Sequence, residues 1–104
     1  MLLIREVFNC KPGKVKTLME KFKAMSKLGE TMGMPRMRLL TDFSGERYWT
    51  LVAEMEVANL GDFEKMFENP GNEQQQKEFE NLMKGYHDLV EKGRREIYRI
   101  EAAT

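Results

Sequence analysis

The sequence predicts an α+β domain with the order β-α-β-β-α-β. Two stripes of apolar residues at helical spacing alternate with strand-like runs. A short turn containing glycine, Ser44-Gly45-Glu46, separates two adjacent strand-like runs in the manner of a hairpin. Size agrees: 104 residues suffice for one hydrophobic core and not for two, so residues 1–104 are read as a single domain.

The first strand is read from Leu2 to Asn9, with Ile4, Val7 and Phe8, and ends before Pro12-Gly13. Pro12 suits a first helical turn, where its missing N–H leaves no bond unmade. Val15, Leu18, Met19, Phe22 and Met25 then repeat at helical spacing, with Lys14, Lys16, Lys21, Lys23 and Lys27 on the wet side. Pro35 ends this helix. Arg36 to Phe43 is the second strand. Arg47 to Val57 is the third, with Trp49, Leu51, Ala53, Met55 and Val57 alternating on one face.

Asn59 followed by Asp62 marks a helix start. Phe63, Met66 and Phe67 give it a short apolar face, and Pro70-Gly71 breaks it. Asn72 and Gln75 have the spacing of a capping box. A long helix is predicted from residue 72 to 92, with Phe79, Leu82, Met83, Tyr86, Leu89 and Val90 on one stripe and Gly93 as its closing glycine. Arg94 to Ala102 is the last strand.

Crossovers of this kind are right-handed. Two of them joined by a hairpin give a ferredoxin-like fold: a four-stranded antiparallel sheet with both helices, the second one broken, on one face. A helix over 72–92 would be about 31 Å long, and an eight-residue strand about 26 Å. If the odd residues of the third strand meet the helices, Tyr48, Thr50, Val52 and Glu54 lie on the opposite face. That face also receives large apolar groups from the other strands. About 12 side chains on flat sheet amount to roughly 400 Å², the limit of what a lone subunit leaves wet. A homodimer, sheet against sheet, is therefore expected.

Composition excludes several functions. Lys+Arg and Asp+Glu both number 17, so the chain lacks the basic excess that carries nucleic-acid or anionic-membrane binding. One cysteine and one histidine make neither an internal disulfide nor a Cys/His zinc site. No leader, lipidation motif or apolar run of membrane-spanning length is read, so a cytoplasmic protein with Cys10 reduced is expected.

His87 is the one side chain that ordinarily titrates near neutrality, and is the candidate general base; the alternative is a surface histidine. Glu54, a carboxylate in mid-strand, is the second catalytic candidate. It needs a cation, and Arg5, Arg38 and Arg99 are the possible partners; the alternative is a salt bridge between subunits. Tyr48, Tyr86 and Arg99 are the ligand-binding candidates. Trp49 shares its face with Leu51 and Met55 and is assigned to core packing, which leaves Tyr48 for the interior. Cys10 reads as a small buried hydrophobe. No phosphate loop, nucleophile elbow or HExxH is present.

The run Lys11-Pro12-Gly13-Lys14 after the first strand, the Trp/Tyr-rich hairpin and the last-strand segment Gly93-Arg94-Arg95-Glu96-Ile97-Tyr98 resemble the dimeric α/β-barrel superfamily. The similarity is to its antibiotic-biosynthesis-monooxygenase-like and NIPSNAP-like domains. The resemblance implies a homodimer enclosing a barrel, with a pocket in each protomer. It also implies either cofactor-independent, monooxygenase-like turnover of a small apolar or aromatic molecule, or a non-catalytic binding or structural module. The heme-degrading branch uses an Asn, a Trp and a His. Asn9, Trp49 and His87 match in type, but their expected places on the elements do not.

Overall fold

The structure, a computed structural model, describes residues 1–68 and 71–103. Strand β1 (Leu2–Cys10) leads through helix α1 (Val15–Thr31) to strands β2 (Arg38–Thr41) and β3 (Thr50–Val57). Helices α2 (Leu60–Glu68) and α3 (Glu73–Met83), a 3-10 turn at Tyr86–Asp88 and strand β4 (Val90–Arg99) follow. The sheet order is β2-β3-β1-β4, with every neighbouring pair antiparallel. This is the ferredoxin-like α+β fold.

Register decides which side chains share a face. Ile4 lies opposite Met55 and Phe8 opposite Leu51, so even residues of β1 and odd residues of β3 point to the helices. Two core clusters form there. Phe8, Cys10, Leu51 and Ala53 pack under Leu18 and Phe22 of α1 and against Leu89. Ile4 and Val57 pack under Phe63 of α2. Each large side chain fully buried in this way contributes about 1.5–3 kcal/mol, and Ile4, Leu18 and Leu51 are wholly excluded from water.

Helix ends follow the sequence signals. Asn59 Oδ1 accepts from the Asp62 N–H at 2.8 Å. At α3 the expected capping box forms: Asn72 Oδ1 accepts from the Gln75 N–H at 2.8 Å, and Gln75 Oε1 accepts from the Asn72 N–H at 2.9 Å. Lys21 of α1 donates its ammonium to the carbonyls of Leu82 and Lys84, satisfying the far end of α3. The expected break at Pro70 lies outside the described residues.

The long helix over 72–92 does not form. α3 stops at Met83, and Gly85 at φ 84° turns the chain into the 3-10 turn. β4 begins at Val90 because β1 claims partners that far back: Cys10 pairs with Val90, Asn9 with Lys92 and Phe8 with Gly93. Ladder pairing overrides the local helical pattern. Gly93 is thus no helix cap. It sits in mid-strand, where a Cβ would come within 3.3 Å of the Phe8 ring. The hairpin strands are also shorter than expected, because residues 42–49 form a wide connection. Trp49 lies in it at φ 60° rather than in β3, and its carbonyl accepts from the Cys10 N–H at 2.8 Å.

Candidate functional site

The sheet face opposite the helices carries a row of alternating charge across all four strands. Arg38 on β2, Glu54 on β3, Arg5 on β1 and Glu96 on β4 stand in one transverse register. Arg38 donates to Glu54 Oε1. Arg5 Nε lies 3.3 Å from Glu54 Oε2, and Arg5 Nη1 donates to Glu96 Oε1 at 3.2 Å. Arg94 closes the row, its Nε donating to Glu96 Oε2 at 3.0 Å. Period-two geometry requires this: residues that face each other across three antiparallel pairs must share a side of the sheet.

Glu54 is buried at 6% exposure, with both oxygens engaged by guanidinium groups. Neither oxygen is free to take a ligand proton without breaking an ion pair. Glu96 is held below its ordinary pKa. The hydrogen bond from Arg94 is the main cause, opposed by desolvation and aided by the charges of Arg94 and Arg5. Around the row the same face presents Leu3, Val7, Val52, Leu40 and Tyr98. Val7 and Val52 are buried, while Leu40 and Tyr98 are exposed.

The sequence candidates do not come together. Arg99 is not a partner of Glu54: it lies opposite Leu2 on the helix-facing side and meets Glu101 at 3.9 Å. Tyr48 is 86% exposed in the wide connection, away from the sheet interior. Tyr86 belongs to the 3-10 turn and packs edge-on against Phe8, on the helix side. Burial raises its hydroxyl pKa, as do the charges of Glu6 and Cys10. His87 is exposed beside it, ring against ring, on that turn and not on the long helix. Cys10 is a buried free thiol, pushed up first by burial and then by Asp42. Among the described residues no three His, Cys, Asp or Glu side chains gather as metal ligands would. No described helix is long and apolar enough to cross a membrane.

Two charged residues escaped the sequence reading of the open face, Glu96 and Arg94, and two more the helix side, Glu6 and Arg95. The available signal was the pairing of Arg5-Glu6 on β1 with Arg95-Glu96 on β4, opposite charges that fall into register only if the strands are antiparallel neighbours. Open grooves of about 600 and 520 Å³ run between α1 and α3, past Ala24, Leu28, Gln75 and Leu82. Neither touches a predicted site residue.

No known family profile matches the sequence, and no curated protein matches it. Solved structures do. A NIPSNAP domain protein from Burkholderia xenovorans matches with a TM-score of 0.71 at 17% identity, over 95% of this chain and 93% of its own. A NIPSNAP family protein from Agrobacterium tumefaciens matches with a TM-score of 0.76 at 10% identity, over 94% and 90%. A candidate antibiotic biosynthesis monooxygenase from Nitrosomonas europaea matches with a TM-score of 0.66 at 13% identity, over 95% and 97%. Identities this low show the fold. The structures it matches are of the two kinds that the sequence resemblance implied.

Proposed function

We propose that two copies of this chain pair through their open sheet faces, and that the resulting barrel protein binds a small apolar or aromatic molecule in the cytoplasm. The observation that carries this reading is the open face itself. It holds a row of three arginines and two glutamates paired to one another, flanked by Leu3, Leu40 and Tyr98, while α1 and α2 pack on the other side. Charges already paired within one copy can be covered by another without leaving a lone buried ion.

The name of the Nitrosomonas europaea protein suggests a reaction class, monooxygenation, which we take here in the cofactor-independent form that the sequence resemblance implied. In such a reaction an activated CH2 of a quinol-like substrate becomes C=O, O2 supplies that oxygen, and the second oxygen leaves as water. The chain would contribute positioning, exclusion of water and a proton acceptor. His87 is the acceptor we assign. Glu54, tied to Arg5 and Arg38, orients rather than accepts. Tyr48 and Tyr86, which lie toward the Cys10 end of the sheet as His87 does, are the ligand contacts we assign; Arg99, paired with Leu2 at the opposite end, is left out of the site. Binding without turnover is the second reading, favoured by the engagement of both Glu54 oxygens.

Native mass spectrometry of the purified chain tests the pairing and any co-purified ligand together. A dimer is expected; a stable single subunit at working concentration overturns the pairing. Turnover of quinol-like compounds by His87→Ala and Glu54→Gln tests the chemistry. Loss in His87→Ala is expected, and unchanged rates in both variants remove these assignments.

A further inference from the structure

The helix-facing side of the sheet is covered unevenly. α1 and α2 bury the strip over β1 and β3. α3 lies alongside α1, joined to it through Lys21, and buries none of its own residues. The edge strand β4 is left open on this side: Arg95 and Ile97 are both exposed, the latter at 42%.

In that strip the core is interrupted. Glu6 stands in mid-β1 between Ile4 of one cluster and Phe8 of the other. A carboxylate at this place separates two apolar clusters that would otherwise be continuous. Its register partner is Arg95, whose Nε donates to Glu6 Oε1. The guanidinium carbon of Arg95 lies 5.0 Å from the centre of the Phe63 ring and 5.5 Å from that of Phe67, and those two rings meet edge to face. The guanidinium is therefore held in place by an ion pair and two aromatic faces. Among the described residues its hydrogen bond is through Nε, and its terminal N–H groups make none. Phe67, 64% exposed, and Ile97, also exposed, add apolar surface beside it.

We propose that this exposed surface between β4 and α2 is a binding site for a planar aromatic carboxylate, taken end-on by the Arg95 fork and laid against Phe67 and Ile97. The chemistry follows from the parts. A guanidinium offers two parallel N–H donors that match a carboxylate. Its orientation is fixed before the ligand arrives, so little is lost on binding. The exposed apolar side chains beside it favour a ring over an aliphatic acid. Glu6 locks the guanidinium and at the same time offsets its charge, so it tunes affinity downward. The proposal adopts the small-molecule reading above but not the pairing of sheets, because every residue named belongs to one protomer.

The probe is 2-naphthoate, with neutral 2-naphthamide as its control, followed by titration calorimetry and by the NMR resonances of the Arg95 side chain and the Phe63 and Phe67 rings. Saturable naphthoate binding that shifts these resonances is expected, with the amide weaker by about tenfold or more. Arg95→Lys keeps the charge but loses the fork, and is expected to lose a similar factor. Glu6→Gln removes the competing carboxylate and is expected to bind naphthoate more tightly. The folding of each variant is checked by the dispersion of its amide spectrum. Equal binding of acid and amide, an affinity unmoved by Arg95→Lys, or shifts confined to the α1–α3 groove overturn the site. Sedimentation of the same samples reports subunit number separately, so a chain that binds naphthoate as a lone subunit refutes the pairing and leaves this site standing.

Discussion

Glu54 is buried in mid-strand on the open face, with Arg5 and Arg38 on its two oxygens. Mid-strand position and parity place a carboxylate on the open face, and the need for a cation follows from burial alone. Which cation answers depends on register. Arg5 and Arg38 lie directly opposite Glu54, whereas Arg99 falls on the other side of β4. Parity counting from an uncertain strand start could not separate them. Glu54→Gln keeps the shape and removes the charge, so Arg38 loses its ion pair while Arg5 keeps the one to Glu96. A loss of stability of about 1–3 kcal/mol is expected, toward the lower end because Arg38 is largely in solvent and can rehydrate. Urea denaturation of the variant measures it, and an unchanged midpoint would show that the row adds nothing to folding. His87 shows the opposite limit. Its residue type is legible from the sequence, but its place is not: only the early end of α3 puts it on an exposed turn beside Tyr86.

At the scale of elements, the legible features were those written locally. The α1 stripe, the Asn72–Gln75 box and the alternation of β3 each need only a few neighbouring residues. The extent of the second crossover was not legible, because β1 determines how early β4 begins, and that pairing spans about eighty residues of chain. One consequence is a weakly held α3. None of its residues is buried, and its ends rest on the capping box and on Lys21. Asn72→Ala is expected to destabilise α3 by about 1 kcal/mol. Hydrogen exchange should show α3 amides opening before those of β1 and β3, and faster still in the variant; equal protection across these elements would contradict the weak docking. β4 carries an acid-sensitive contact of its own. Glu96 is held below its ordinary pKa by Arg94 and Arg5, so its contribution to stability is complete above that ordinary value, 4.5, and disappears as pH falls through the lower, folded value. The denaturation midpoint should therefore fall as pH drops from about 6 to 3, less steeply in Glu96→Gln. Parallel slopes for the two proteins would assign the acid loss elsewhere.

For the whole molecule, the question is what the open face does with its mixed character. Apolar contact between two such faces scales with the area hidden from water, at about 25 cal/mol per Å². The charge row limits how that area is used. Its ions are satisfied within one copy, so they neither drive pairing strongly nor forbid it, and association falls to Leu3, Leu40 and Tyr98. A new charge among these three would be buried without a partner on forming the dimer, whereas in the lone subunit it would stay in water. Leu40 and Tyr98 are both exposed in the single chain, so Leu40→Glu and Tyr98→Glu are expected to leave the fold intact while weakening pairing by about tenfold or more each. Sedimentation across a range of concentrations reads the association, and circular dichroism confirms the fold. Raising the salt concentration should leave the wild-type association nearly unchanged, because the paired charges contribute little between copies. A dimer that dissociates in salt, or that survives both substitutions, would mean that a different surface joins the subunits.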